Sequence, residues 1–245
     1  VGFIHWRRND LDSALAQFEP YLAITKKLVA HAPDSVRFLN ELGQANSNIG
    51  SVKESKGDLP GALAAFREAI RAEENVVQRD STKLDWQMDL ASSYNSAGSV
   101  QRKLGDFAGA HASHLEELAL KQRLVARDPP NQLYKLRLAL AYSFLAELDL
   151  ALGKMDDATR EAGASRDLYV KLAAADTSNP DKRRFVGTAH RIAGMIALER
   201  GSADEALREV AASRAQLDPQ LAKTPDNAVW QLALAKTLTL SSYAL

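Results

Sequence analysis

The 245-residue chain contains no cysteine. Disulfides, thiol nucleophiles and cysteine-ligated zinc or iron–sulfur centres are therefore excluded, although the compartment stays open. It also carries no net charge, because 31 basic residues balance 31 acidic ones. With no basic excess to release counterions, nucleic acid is not an expected partner. Lys182, Arg183 and Arg184, with Arg191 further on, form a local basic cluster that reads as a solvated helix end. No run approaches the ~18 apolar residues of a membrane span, which predicts no direct membrane insertion. The glycines do not fall in a phosphate-binding G-x-x-x-x-G-K pattern, and no serine is embedded in G-x-S-x-G. No signal peptide is visible, and the chain opens on Val1 where a start methionine would stand. That opening predicts a piece of a longer protein. The 46% hydrophobic and 25% charged content is ordinary for a folded soluble chain and wrong for a disordered one.

What is present is a repeat. A turn followed by an early alanine recurs every 48 residues: Asn9-Asp10 with Ala14, Gly57-Asp58 with Ala62, Gly105-Asp106 with Ala110, Gly153-Lys154 with Ala158, and Gly201-Ser202 with Ala206. Seven residues before each turn stands a small residue: Gly2, Gly50, Gly98, Ala146 and Gly194. Two residues further on an aliphatic follows: Ile4, Val52, Val100, Leu148 and Ile196. Bulky rings open most units, at Phe38, Trp86, Tyr134 and Trp230, with Lys182 as the exception.

The apolar spacing within each unit is that of two helices. In the second unit it predicts a first helix over Ser35–Lys56 and a second over Pro60–Arg79. Gly57 ends the first in the left-handed conformation, Asp58 caps the second, and Pro60 fits its first turn. Asp34, Asp128 and Asp226 stand near the starts of first helices, where a carboxylate favours the dipole. The small column and the alanine twelve residues later are expected to face each other where the two helices cross. The expected fold is all-α, with about eleven helices in a single array over residues 1–245. Its units are a partial one at about 1–33, then 34–81, 82–129, 130–177, 178–225, and a partial or capping helix at 226–245. Leu232, Leu234, Leu238 and Leu240 then mark an apolar end that either stays exposed or packs on another copy, so a homo-oligomer through terminal helices is one expectation.

These residues resemble the tetratricopeptide repeat. The small residue, the Gly-Asp turn seven later and the alanine twelve later match Gly50, Gly57-Asp58 and Ala62, and equally Gly98, Gly105-Asp106 and Ala110. The aromatic four beyond the alanine matches Phe18 and Phe66. The departure is the period, since the family's is 34 residues and here fourteen more are inserted. Lengthened repeats of this kind occur in bacterial signalling proteins. Lys154 and Ser202 also depart, standing where the turn aspartate is expected.

The resemblance implies a right-handed superhelical solenoid of antiparallel hairpins, with first helices lining a concave groove. Carried over by position, the groove columns fall at Gln44, Ser47, Ser51 and Glu54, then Ser92, Asn95, Ser99 and Arg102. They continue at Leu140, Ser143, Glu147 and Leu150, and end at Thr188, Arg191, Met195 and Leu198. The first half is small and polar. The second is apolar with charge among it, which suits a hot spot, although its leucines can equally be packing between hairpins.

Candidate catalytic groups are weak. His111, His114 and Glu117 have a spacing that could seat a metal on one helix face. Yet His111 stands in the column of Leu15, Leu63 and Leu207, and His114 in that of Phe18 and Phe66, so both read as packing residues with a polar tip. The acidic pairs Glu73-Glu74, Glu116-Glu117 and Asp156-Asp157 are expected on helix ends or outer faces, where no dry cleft shifts a pKa. No catalytic residue, metal or cofactor is expected. The expected function is a non-catalytic scaffold that binds a protein or peptide in the groove. The alternative is a regulatory or sensory domain of a larger bacterial signalling protein: a serine/threonine kinase, a membrane-anchored transcriptional regulator or a signalling ATPase. The compartment stays open between a soluble domain in the bacterial cytoplasm and the extracytoplasmic part of a membrane-anchored signalling protein.

Overall fold

The computed structural model describes residues 2–244. Those residues are all-α, in eleven helices and two compact units. Unit 1, Val1–Arg127, holds α1 (Gly2–Arg7), α2 (Leu11–His31), α3 (Val36–Ser55), α4 (Leu59–Arg79), α5 (Leu84–Lys103) and α6 (Phe107–Arg127). Unit 2, Asp128–Leu245, holds α7 (Gln132–Ala151), α8 (Met155–Ala175), α9 (Pro180–Glu199), α10 (Ala203–Leu221) and α11 (Ala228–Ala244). Within each unit a helix packs chiefly on its neighbours in sequence, as stacked hairpins do. First helices also touch one another: α3 meets α5, α7 meets α9, and α9 meets α11.

The period is visible in the element lengths. First helix α3 has 20 residues and second helix α4 has 21, separated by residues 56–58 and followed by residues 80–83. Most of each 48-residue period thus lies in the two helices, and the connections are short. The expected boundaries Ser35–Lys56 and Pro60–Arg79 differ from the observed ones by a residue at most ends.

The tight turn is built the same way each time. Gly57 and Gly105 have φ near +80°, and nothing lies within 4 Å of where a Cβ would stand. The requirement there is conformational and not steric. Asn9 meets it at φ 60°, as asparagine can. The amide after each of these glycines bonds five residues back, Asp58 to Lys53 and Asp106 to Gln101, at 3.0 and 2.9 Å. Asp10, Asp58 and Asp106 then accept from the amides of Ser13, Gly61 and Gly109 to cap the second helix. Lys154 and Ser202 make no such side-chain bond, so α8 and α10 start without that cap. At first helices the caps are Ser35, Asn131, Asn179 and Asn227. The acids singled out in the sequence lie one to three residues before three of these.

The small column has a physical partner other than the one expected. The alanines twelve residues on are fully buried at Ala14, Ala62, Ala110, Ala158 and Ala206. What fills the space over the glycine, however, is the ring sixteen residues on. A Cβ at Gly50 would stand 2.8 Å from Phe66, one at Gly98 2.8 Å from His114, and one at Gly2 2.7 Å from Phe18. Where the column holds Ala146, the residue sixteen on is Ala162, and the two pack in one cluster. Gly194 instead makes room for Leu240 of α11, 2.7 Å from its virtual Cβ.

Another repeated contact appears in unit 2. Ser165 donates to the Ala139 carbonyl at 2.9 Å, and Ser213, 48 residues on, donates to the Gly187 carbonyl at 2.8 Å. An exposed pair, Lys103–Glu54 at 2.7 Å, joins neighbouring hairpins, and Arg79–Asp34 at 2.8 Å closes the open end of the α3–α4 hairpin, each contributing under about 1 kcal/mol. The basic cluster at the start of α9 is met locally, Lys182 by Asp176 and Arg184 by Asp181. On α11, Trp230 and Leu240 are buried while Leu232 and Leu238 are exposed. No helix among the described residues is long and apolar enough to cross a membrane.

Replacing Gly98 or Ala110 with leucine is expected to destabilise unit 1 by about 1–3 kcal/mol through overpacking, read as a lower midpoint in thermal or urea unfolding. An unchanged midpoint in both variants would contradict the crossing described above.

Candidate interaction site

Each unit presents a face built from its first helices. In unit 1, helices α1 to α5 line an open cavity of about 670 Å³. Gln44, Ser47 and Ser51 line it from α3, with Ser92, Ser93 and Ser96 from α5. The Ser47 and Ser93 hydroxyls meet across the helices at 2.8 Å. Phe18 and Phe66, the same rings that fill the glycine crossings, form an apolar wall. Of the other groove positions on α5, Asn95 and Ser99 are half-buried and Arg102 is exposed, and none of the three lines this cavity. Glu54 is engaged by Lys103.

At the base of the cavity stands Glu73 of α4, only 2% exposed. It fits because α3 carries Gly43 there: a Cβ at that position would fall 2.6 Å from the Glu73 Cγ. One carboxyl oxygen, Oε2, has no hydrogen-bond partner. Burial pushes the Glu73 pKa up to about 8; the Ser93 and Ser47 hydroxyls oppose this and the nearby Asp89 carboxyl adds to it. Asp89 is raised too, again chiefly by burial.

In unit 2 a cavity of about 810 Å³ is formed by α7, α9 and α11. Five of the residues singled out in the sequence line it: Glu147, Leu150, Arg191, Met195 and Leu198. Lys236, Leu240 and Tyr243 of α11 close the far side. Arg191 forms an ion pair with Glu147, and its other terminal nitrogen lies 2.9 Å from the Met195 sulfur. The guanidinium is thus held between a carboxylate and a thioether, with apolar side chains on either side. Leu150 and Leu198 divide their surfaces between this cavity and the hairpin core. Thr188 bonds the Arg184 carbonyl one turn back.

Two expected groove residues are elsewhere. Ser143 is buried inside the α7–α8 hairpin, bonded to Ser165 at 2.7 Å and Tyr169 at 3.3 Å. The resemblance implied a groove position for it, but α8 packs over it. Leu140 packs against the cluster of Ala139, Tyr169, Leu172, Val186 and Ala189, so for this leucine the packing alternative holds.

The acidic pairs also require correction. Glu73 and Glu117 are buried and do not lie on outer faces. Glu117 sits between His114, 2.7 Å away, and Lys121, one helical turn to either side on α6. His114 meanwhile packs over Gly98, as a ring-column residue with a polar tip should. In unit 2, Asp149 of α7 and Glu161 of α8 form a buried carboxyl pair, and burial followed by the hydrogen bond to Asp149 raises Glu161. Glu73 occupies a column that is buried in every copy, with Thr25, Lys121, Tyr169 and Leu217, whereas the column of Glu161 holds Gln17, Ser113 and Glu209 and gives no such sign. That column reading, applied to acids as it was to histidines, is the signal that would have found Glu73.

Neither a family model nor a curated protein sequence matches the chain. Solved structures do. BtubC (BKLC) from P. vanneervenii superposes with a TM-score of 0.61 at 15% identity, over 96% of this chain and 89% of that one. TTC0263, a thermophilic TPR protein of Thermus thermophilus, reaches 0.43 at 16% identity over 98% and 100% of the two chains. YrrB, a TPR protein with an unusual peptide-binding site, reaches 0.42 at 15% identity over 95% and 87%. The fold is therefore that of stacked antiparallel helical hairpins, shared with BtubC over nearly the whole chain. At these identities the likeness extends to fold alone.

Glu73 ties stability to pH. A carboxyl protonated in the folded state and ionised in the unfolded one binds more protons when folded, so stability falls as pH rises between the two pKa values. For Glu73 that window runs from about 4.5 to about 8. Glu161, also raised, acts in the same sense. The urea midpoint of the native chain is expected to drop across this window, and the Glu73→Gln, Glu161→Gln double variant to flatten the drop by on the order of 1–3 kcal/mol. A native midpoint that rises from pH 5 to pH 8 would contradict the burial described.

Proposed function

We propose that the chain is a non-catalytic interaction scaffold that holds a peptide or protein segment against its first helices, with the α9 pocket of unit 2 as the anchoring site. The observation that carries this reading is the unit 2 cavity: Leu150, Met195 and Leu198 surround an Arg191 guanidinium held by Glu147. An apolar pocket around a fixed, partly desolvated arginine is the arrangement in which interface energy concentrates. The charges lining it balance, two basic against two acidic, so the fitting anchor is a neutral apolar or aromatic side chain. In unit 1 the hydroxyl and amide groups of Gln44, Ser47 and Ser51 suit the backbone of an extended segment. The sequence register runs through both units without insertion, which supports reading them as one repeat family with lengthened units.

Selection of displayed peptides on the native chain, followed by fluorescence anisotropy, tests this reading. Arg191→Glu and Met195→Ala are each expected to weaken the selected peptides at least about tenfold, with melting temperatures little changed. Peptides that bind both variants as tightly as the native chain would overturn it.

A further inference from the structure

We propose that the unit 1 cavity is a recognition site for an alkylammonium group, with the Glu73 carboxylate as its buried acceptor and Asp89 as its second. The two acids line the cavity and no lysine, arginine or histidine does. Glu73 Oε2 is buried without a hydrogen-bond partner at the base of a space of about 670 Å³. A purely apolar occupant would leave that oxygen unsatisfied, which is costly in a buried site, and an anion would lie against two acids with no basic group to meet it. A divalent cation needs more ligands than this, and no group of three or more ligating side chains occurs among the described residues. An ammonium carries three donors on a flexible apolar stem. Its donors suit Glu73, Asp89 and the Ser93 hydroxyl, while its methylenes lie along Phe18 and Phe66.

The fold itself does not require an acid there. At the same column, 48, 96 and 144 residues on, stand Lys121, Tyr169 and Leu217, all buried. The carboxyl of unit 1 is therefore an addition to the packing scheme.

The groups facing Glu73 are Ser47 and Gly43 from α3, Asp89 and Ser93 from α5, and, across the cavity, Tyr21 from α2. None is basic, so in the empty cavity at neutral pH Glu73 holds its proton. Entry of the ammonium displaces it: the protonated acid and R–NH3⁺ become a carboxylate–ammonium pair, and one proton leaves to solvent. Affinity therefore rises with pH up to about 8 and levels off above it.

The inference rests on the polar face being a binding face, but its test needs no peptide, so failure here leaves the α9 pocket untouched. Isothermal titration calorimetry of the whole chain would use Nα-acetyl-lysinamide and n-butylamine as probes, in buffers of different ionisation enthalpy between about pH 6 and about pH 8.5. About one proton should be released per probe bound near pH 6.5, with affinity rising as much as about tenfold per pH unit below pH 8. Glu73→Gln should abolish the release and cut affinity at least about tenfold, and Asp89→Asn should weaken binding with the release retained. Tighter binding of the lysinamide assigns the ammonium to a lysine of another chain, and equal binding assigns it to a free amine; either supports the site. No heat from either probe at tens of millimolar, binding by the native chain without proton release, or undiminished binding by a folded Glu73→Gln variant would each overturn it. Should Glu73→Gln fail to fold, the proton release of the native chain and the Asp89→Asn affinity decide the matter.

Discussion

The fold depends on a fit between a missing side chain on one helix and a ring on the next. Gly2 with Phe18, Gly50 with Phe66, and Gly98 with His114 repeat one contact at one spacing, and the virtual Cβ distances of 2.7–2.8 Å leave no room for a methyl group. Interiors are packed at near-crystalline density, so a ring of fixed size sets how closely the two backbones approach. The pair Ala146 and Ala162 shows the same volume divided differently, with a methyl gained on one helix and a ring lost on the other. Once this crossing is set, the three-residue turn and the sixteen-residue spacing across it follow, because an insertion between glycine and ring would rotate the ring off the glycine.

A repeat that secures its geometry at so few columns leaves the remaining core positions free to vary in chemistry. One of them holds Glu73, Lys121, Tyr169 and Leu217 in successive copies, all buried. Lys121 is met by Glu117 on its own helix, and Tyr169 stacks on Phe185 at 5.3 Å between ring centroids. Glu73 has only hydroxyls and another acid beside it. The desolvation of that carboxyl is borne by a scaffold whose stability is a sum of many hairpin contacts, so one costly position does not unfold the unit.

The two faces differ because their first helices do. In unit 1 the small polar residues of α3 and α5 leave a space whose base reaches the second helix α4. In unit 2 the longer side chains of α7 and α9 line the pocket, and α11 adds a third wall. The polar face and the apolar face are thus alternative fillings of one backbone plan, and a binding segment would meet different chemistry on each.

Periodicity was legible from residues alone wherever one column carried one size: the turns at Gly57 and Gly105, the caps at Asp58 and Asp106, the fully buried alanines. The five sequence-named residues that line the α9 pocket came from the family resemblance and not from the period. Depth was not legible. Ser47 and Ser143 are the same residue type in the same column, two repeats apart. Yet Ser143 is sealed under Tyr169 and Ser47 opens on a cavity, because α8 carries a ring where α4 carries a carboxyl. Whether a polar side chain ends in water, in a cavity or against another acid depends on the volume of residues one helix away. A linear pattern records which face a residue takes; the packing of the opposing helix sets how far from solvent that face lies.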